Sequence, residues 1–204
     1  MDTPNLQYEF RWFGLDISTA REKMAREGGD PQYAESREVH ILSRRGSRIN
    51  CRMDAKATEV TELASVDDGL ELWKLRLKQP FPLDRSSLED ELLPLLGVNM
   101  SLRQDDYDME EVVDKVIPNS PDLVAVHVHQ RQTVYEIDGC QAGHSELLVN
   151  GAYILSIAIT SENAKDLLAL RSRLGFDGLE NVSYLGAFKR VTGMVPLLRI
   201  PSLP

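Results

Sequence analysis

Short stretches along the chain alternate apolar and polar residues with a period of two, and glycine-containing turns separate them. The clearest is Glu71-Leu72-Trp73-Lys74-Leu75-Arg76-Leu77-Lys78, closed by Gln79-Pro80-Phe81-Pro82. Such alternation predicts a β-strand with two different faces. One face carries Lys74, Arg76 and Lys78, and the other Trp73, Leu75 and Leu77. Leu6 to Trp12 has the same form, with Leu6, Tyr8, Phe10 and Trp12 set against Gln7, Glu9 and Arg11. Strands are also expected over residues 36–43, 48–53 and 57–65. Asp67-Asp68-Gly69 then makes a hairpin turn, so that residues 36–82 read as one antiparallel meander. A second meander is expected from Leu123–Ile137, Gln141–Val149 and Ala152–Thr160, joined by turns at Asp138-Gly139 and Asn150-Gly151.

Helix signals lie between these strands. A helix capped by Asp16 or Ser18 is expected to run to Glu27 and stop at Gly28-Gly29. Ser86-Ser87 followed by Glu89, Asp90 and Glu91 opens another that ends near Gly97. Others are expected over Met109–Val116, from Ser161-Glu162 to Leu174, and from Leu179 or Asn181 to Thr192. The proline- and leucine-containing segment from Val195 to Pro204 is expected to pack back as an extended arm. About eight strands is a usual number for a closed barrel. The predicted fold is therefore α+β: a closed eight-stranded antiparallel β-barrel with helices outside. Its 204 residues suit one domain, with halves of about 1–97 and 98–193 and a tail over 194–204.

A charged strand face by itself usually faces water. Several strands here carry one, and in a closed barrel such faces converge inside. The candidates for an inward face are Glu9, Arg11, Arg48, Arg52, Lys74, Arg76, Lys78, Arg131 and Glu146. Arginine forks and lysine point charges suit phosphate oxygens, and a few carboxylates among them suit a divalent metal. The net charge of −9 argues against a basic exterior for duplex nucleic acid. No stretch is long and apolar enough to span a membrane, and there is no signal-peptide pattern. Cys51 and Cys140 are too few for a disulfide framework and read as reduced thiols in a cytosolic protein. His127 and His129 share a strand face, which admits a zinc site or ordinary strand histidines.

The order of these motifs resembles the CYTH superfamily, the triphosphate tunnel metalloenzymes. Gln7-Tyr8-Glu9-Phe10-Arg11 is similar to its E-x-E-x-K signature. An R-x-N-x-R strand follows at Arg48–Arg52, then Trp73–Pro80, His129-Gln130-Arg131, Asp138, Gly143–Glu146, and a last helix with Ser183-Tyr184 and Lys189-Arg190. The resemblance implies a tunnel that holds a triphosphate, polyphosphate or nucleotide with Mg²⁺ or Mn²⁺, and possible hydrolysis. It places Arg11, Arg52, Arg76, Lys78 and Arg131 on phosphate; the strand face adds Lys74. It assigns Glu9, Asp138 and Glu146 to metal, with Glu9 and Glu146 as the catalytic pair. Gln7 departs from the signature, where a glutamate is expected, and the late strand keeps one acid. These departures support the alternative of a non-catalytic phosphate-binding module. A third reading, a structural or interaction protein with its charges outside, predicts exposed Lys74, Arg76 and Lys78.

Overall fold

Alternating strands pair into a ring when each finds a neighbour on both edges, and this chain closes that ring. The structure, a computed structural model, describes residues 6–195. The segment expected as an extended arm lies, except for Val195, outside the described residues. The barrel strands are β1 (Leu6–Gly14), β2 (Gln32–Ser43), β3 (Ile49–Met53), β4 (Ala57–Asp67), β5 (Leu70–Pro80), β8 (Leu123–Ile137), β9 (Cys140–Val149) and β10 (Ala152–Ser161). Between β5 and β8 lie two two-residue strands, β6 (Leu83–Asp84) and β7 (Asp106–Tyr107), which pair with each other. The barrel order is β1-β10-β9-β8-β2-β3-β4-β5, all antiparallel, with β5 returning to β1. The predicted α+β barrel is the observed one.

The hairpins are set by their turn residues. Asp68-Gly69, Asp138-Gly139 and Asn150-Gly151 all take positive φ at both positions, as tight primed turns require. Asn150 also accepts the His127 backbone N–H through Oδ1, at 2.9 Å.

Helices cover two sides of the barrel. On one side α1 (Ser18–Glu27) and α4 (Ala164–Leu174) bury Met24, Leu167 and Leu170 against Phe10, Ile157 and Ile159. On the other, a π-helical turn (Ser87–Leu92) leads into α2 (Leu93–Leu95). The segment from α3 (Met109–Glu111) through Val116 packs beside it. Leu88, Leu92, Val112 and Val116 there cover Ile41, Cys51, Met53 and Val60. Asp108 and Glu111 form a capping box at the start of α3. Both cysteines are buried free thiols, Cys51 on β3 and Cys140 on β9. Among the described residues no helix is long and apolar enough to cross a membrane.

A third apolar cluster lies inside the barrel. Leu42 shares a strand face with Glu38 and His40, Val128 with Gln130, and Leu147 with Ser145. These residues meet Leu185 and Phe188 of α5 (Tyr184–Val191), which fills that end of the barrel. Ser183 caps α5 by accepting the Gly186 N–H. The interior is therefore apolar and filled at one end and polar at the other.

Candidate functional site

The polar half encloses a cavity of about 460 Å³. Every barrel strand except β5 contributes to it. Strand β1 supplies Gln7, Glu9 and Arg11; β2 supplies Glu38 and His40; β3 supplies Asn50 and Arg52; and β4 supplies Glu59. Strands β8 and β9 complete the wall with Gln130, Gln132 and Ser145, and Tyr184 reaches in from α5. At Gly143 a Cβ would lie 2.6 Å from the Thr133 carbonyl oxygen, so β8 and β9 need glycine to pair closely here.

Arginine and glutamate are paired throughout this chamber. Arg11 donates to both carboxylate oxygens of Glu9, at 3.0 and 3.2 Å, and its guanidinium lies 3.8 Å from the centre of the Tyr184 ring. Burial opposes the charge on Arg11, but Glu9, Tyr184 and Glu71 together outweigh it and raise the pKa. Arg52 bridges Glu38 at 3.2 Å and Glu59 at 3.3 Å. Burial likewise acts against its charge, and these two carboxylates raise its pKa. Burial also works against ionised Glu38, yet hydrogen bonds from His40 and Ser36 and the charge of Arg52 lower it to about 2. His40 is buried and held at both ring nitrogens, by Glu38 at 3.3 Å and Asn50 at 3.4 Å.

Glu71 behaves differently. It lies opposite Glu9 across β1 and β5, and its carboxylate accepts the Trp73 indole N–H at 3.2 Å. Burial, then the Glu9 charge, push its pKa up to about 7. The Arg11 charge acts the other way on it but is outweighed.

The expected site residues separate into two groups. Glu9, Arg11 and Arg52 meet in the chamber. Lys78 reaches its rim, where it pairs with Glu59 at 3.0 Å. The expected basic wall of β5 does not form. Lys74 stands opposite Glu62 and Leu6, Arg76 pairs with Glu62, and neither lines the chamber. Arg48 lies exposed and donates to the Leu63 and Ala64 carbonyls. Arg131 and Glu146 are opposite each other on the outer face of β8 and β9, beside a shallow outer groove. There Arg131 pairs with Glu35 at 3.5 Å, while Arg21 of α1 holds Glu146 at 2.6 Å and donates to His144. Burial and the Arg21 charge lower the His144 pKa to about 4. Asp138 sits in the β8–β9 turn, exposed, and pairs with Arg173 at 2.8 Å. His127 and His129 follow the ordinary reading, since His129 is bound to Glu35 at 2.5 Å and His127 is exposed.

Sequence reading overlooked Glu38, His40, Glu59, Glu71, Gln130 and Gln132. A signal did exist for Glu38 and His40, because both alternate against buried Val39 and Ile41.

No family model matches the chain, and no curated protein matches its sequence. Solved structures do match. A conserved hypothetical protein from Pyrococcus furiosus is 13% identical over 88% of this chain and 98% of its own, with a TM-score of 0.53. The chain shares the fold of this protein, a closed eight-stranded antiparallel barrel. A Hippeastrum protein described as an adenylyl cyclase candidate with dominant triphosphatase activity is 13% identical, covering 95% and 98% of the two chains at a TM-score of 0.49. An adenylate cyclase candidate from Bacillus halodurans is 10% identical, covering 88% and 95%, also at 0.49. At these identities the likeness is one of fold.

The tunnel-barrel resemblance implies a divalent metal, and the donor set here can be tested against one. Mg²⁺ binds through a small number of carboxylates and retains several waters. Among the described residues no three His, Cys, Asp or Glu side chains cluster to hold an ion. Glu9 lies inside the barrel, Asp138 in a surface turn and Glu146 on the outer wall. That set does not fit a metal centre.

Proposed function

We propose that the chamber binds a small phosphate-bearing ligand without hydrolysing it. The observation that carries this reading is the convergence of Arg11 and Arg52 in one cavity, with the chamber's acids already engaged by those cations and Lys78. A phosphate entering the chamber would take the place of a carboxylate on a guanidinium fork, an exchange between like partners. Two arginines and a rim lysine face Glu9, Glu38 and Glu59, with Glu71 behind them. With no net positive charge to spare, the chamber disfavours a bare triphosphate and leaves a single phosphate group, held by exchange on one guanidinium, as the ligand.

The experiment is thermal unfolding with orthophosphate, methyl phosphate or tripolyphosphate, each with and without Mg²⁺ or Mn²⁺, alongside a phosphate-release assay. At a hundred times Kd a ligand adds about 2.7 kcal/mol, or about 5–10 °C for a domain of this size. The monophosphates are expected to give such a shift without metal, and Arg52→Gln is expected to abolish it. Metal-dependent release of phosphate from tripolyphosphate would overturn the non-catalytic reading. No shift with any phosphate would overturn the ligand class.

A further inference from the structure

The chamber has a side compartment of about 170 Å³ whose walls differ from the rest. Gln7, Glu9, Asn50, Arg52, Glu59 and Tyr184 border both spaces, so the two adjoin at Arg52. Beyond that border the compartment is lined by Thr61, Trp73, Ser183 and Leu185. The main chamber offers no comparable aromatic or aliphatic surface beyond Tyr184, Val134 and Ala158.

Two aromatic side chains define what the compartment offers. Trp73 donates its indole N–H to Glu71, which uses its polar atom and leaves carbon surface toward the space. Tyr184 is the opposite case. The Arg11 guanidinium lies over its ring, and the ring stacks on Phe188 with centroids 5.3 Å apart. Its hydroxyl is buried and has no hydrogen-bond partner among the described residues. An unpartnered buried hydroxyl is costly. An apolar cavity of about 150 Å³ holds a benzene-sized guest, so this compartment has the size for one six-membered ring.

We infer that the ligand is a phosphate monoester whose alcohol portion is a single planar ring. Its phosphate sits on Arg52 in the main chamber, and its ring lies against Trp73. Trp73 is then the specificity-determining residue. This inference rests on the phosphate-binding reading above and adds the chemistry of the rest of the ligand.

The test compares phenyl phosphate with methyl phosphate by isothermal titration calorimetry. Phenyl phosphate is expected to bind at least ten-fold more tightly, and Trp73→Leu is expected to erase that preference. The chain has two tryptophans. Trp12→Phe therefore leaves Trp73 as the sole indole reporter in an otherwise intact chamber. Its emission is expected to change with phenyl phosphate and not with methyl phosphate, which keeps the inference testable if Trp73→Leu fails to fold. Equal affinity for the two esters, or no response of Trp73 to phenyl phosphate, overturns the ring compartment and leaves the phosphate reading in place. Binding of neither ester overturns both.

Discussion

Strands β1 and β5 are neighbours in the barrel, and both alternate charged with apolar residues, yet they use their charges in opposite ways. In β1 the apolar face of Phe10 and Trp12 packs outward against the helix-covered cluster, so Glu9 and Arg11 point into the chamber. In β5 the chamber side holds Glu71 and Trp73, while Lys74 and Arg76 pair with or oppose Glu62 away from it. A shift of register opposite Val60 and Thr61 then reverses the phase. Leu77 thereby joins the outer core, and Lys78 returns to the rim beside Glu59. Period-two alternation identifies two faces, but which of them is inside depends on what covers the other and on every bulge along the way.

The largest expected effect tests the inward charge of β1. Arg11→Ala would leave Glu9 inside the barrel without its cation and would remove the group lying over Tyr184. Removing one partner of a buried pair costs about 3 kcal/mol. Urea unfolding should show a loss of that size, and the double variant Glu9→Gln with Arg11→Ala should recover part of it, because the orphaned charge is gone. A loss no larger than about 0.5 kcal/mol, the range of ordinary surface changes, would place this pair outside the interior.

A smaller effect tests the point where the two strands meet, at Glu9 and Glu71. Glu71 is raised from 4.5 to about 7 in the folded chain, first by burial and then by Glu9. Its proton is therefore held more tightly in the folded state than in the unfolded one. Below 4.5 both states carry it and the group is neutral in its effect. As pH rises toward 7 the unfolded state loses its proton first, and the folded state becomes progressively less favoured; above 7 the penalty is complete. Glu71→Gln should thus raise the melting temperature at pH 8 and leave it nearly unchanged at pH 4.5. Water still reaches part of this carboxyl group, so the gain is expected to be about 3 °C, equivalent to about 1 kcal/mol. Equal gains at both pH values would remove the titration from the account.

The same two strands show what could be read from sequence. The closed barrel was legible because its turns carry residues that accept positive φ, Asp68-Gly69, Asp138-Gly139 and Asn150-Gly151, and because strand spacing follows from them. The start of β2 was not. Gln32 to Ser36 pair with Val134 to Gln130 as a largely exposed ribbon, so no apolar face marks them as a strand. Within the site, Glu9, Arg11 and Arg52 were legible because their strands place bulky apolar residues on the opposite face. Arg131 and Glu146 were not, because β8 and β9 send Gln130, Gln132 and Ser145 inside and leave the more charged face outside. Glu38 and His40 were passed over for a related reason. A basic tunnel was expected, and the chamber that formed is balanced between arginine and glutamate.

The smallest expected effect is the sharpest test of β5. Lys74→Ala and Arg76→Ala remove charges that lie outside the chamber, one opposite Glu62 and one paired with it. Ion pairs exposed to water contribute about 0–1 kcal/mol, because the Coulomb gain is weak there and long side chains lose freedom in making it. Each variant should therefore unfold within about 0.5 kcal/mol of the parent and bind methyl phosphate with the same Kd. Arg52→Gln, measured beside them, should lose that binding. If Lys74→Ala or Arg76→Ala weakens the phosphate as much as Arg52→Gln does, β5 presents its basic face to the ligand, and the phase reversal at Val60 and Thr61 does not separate it from β1.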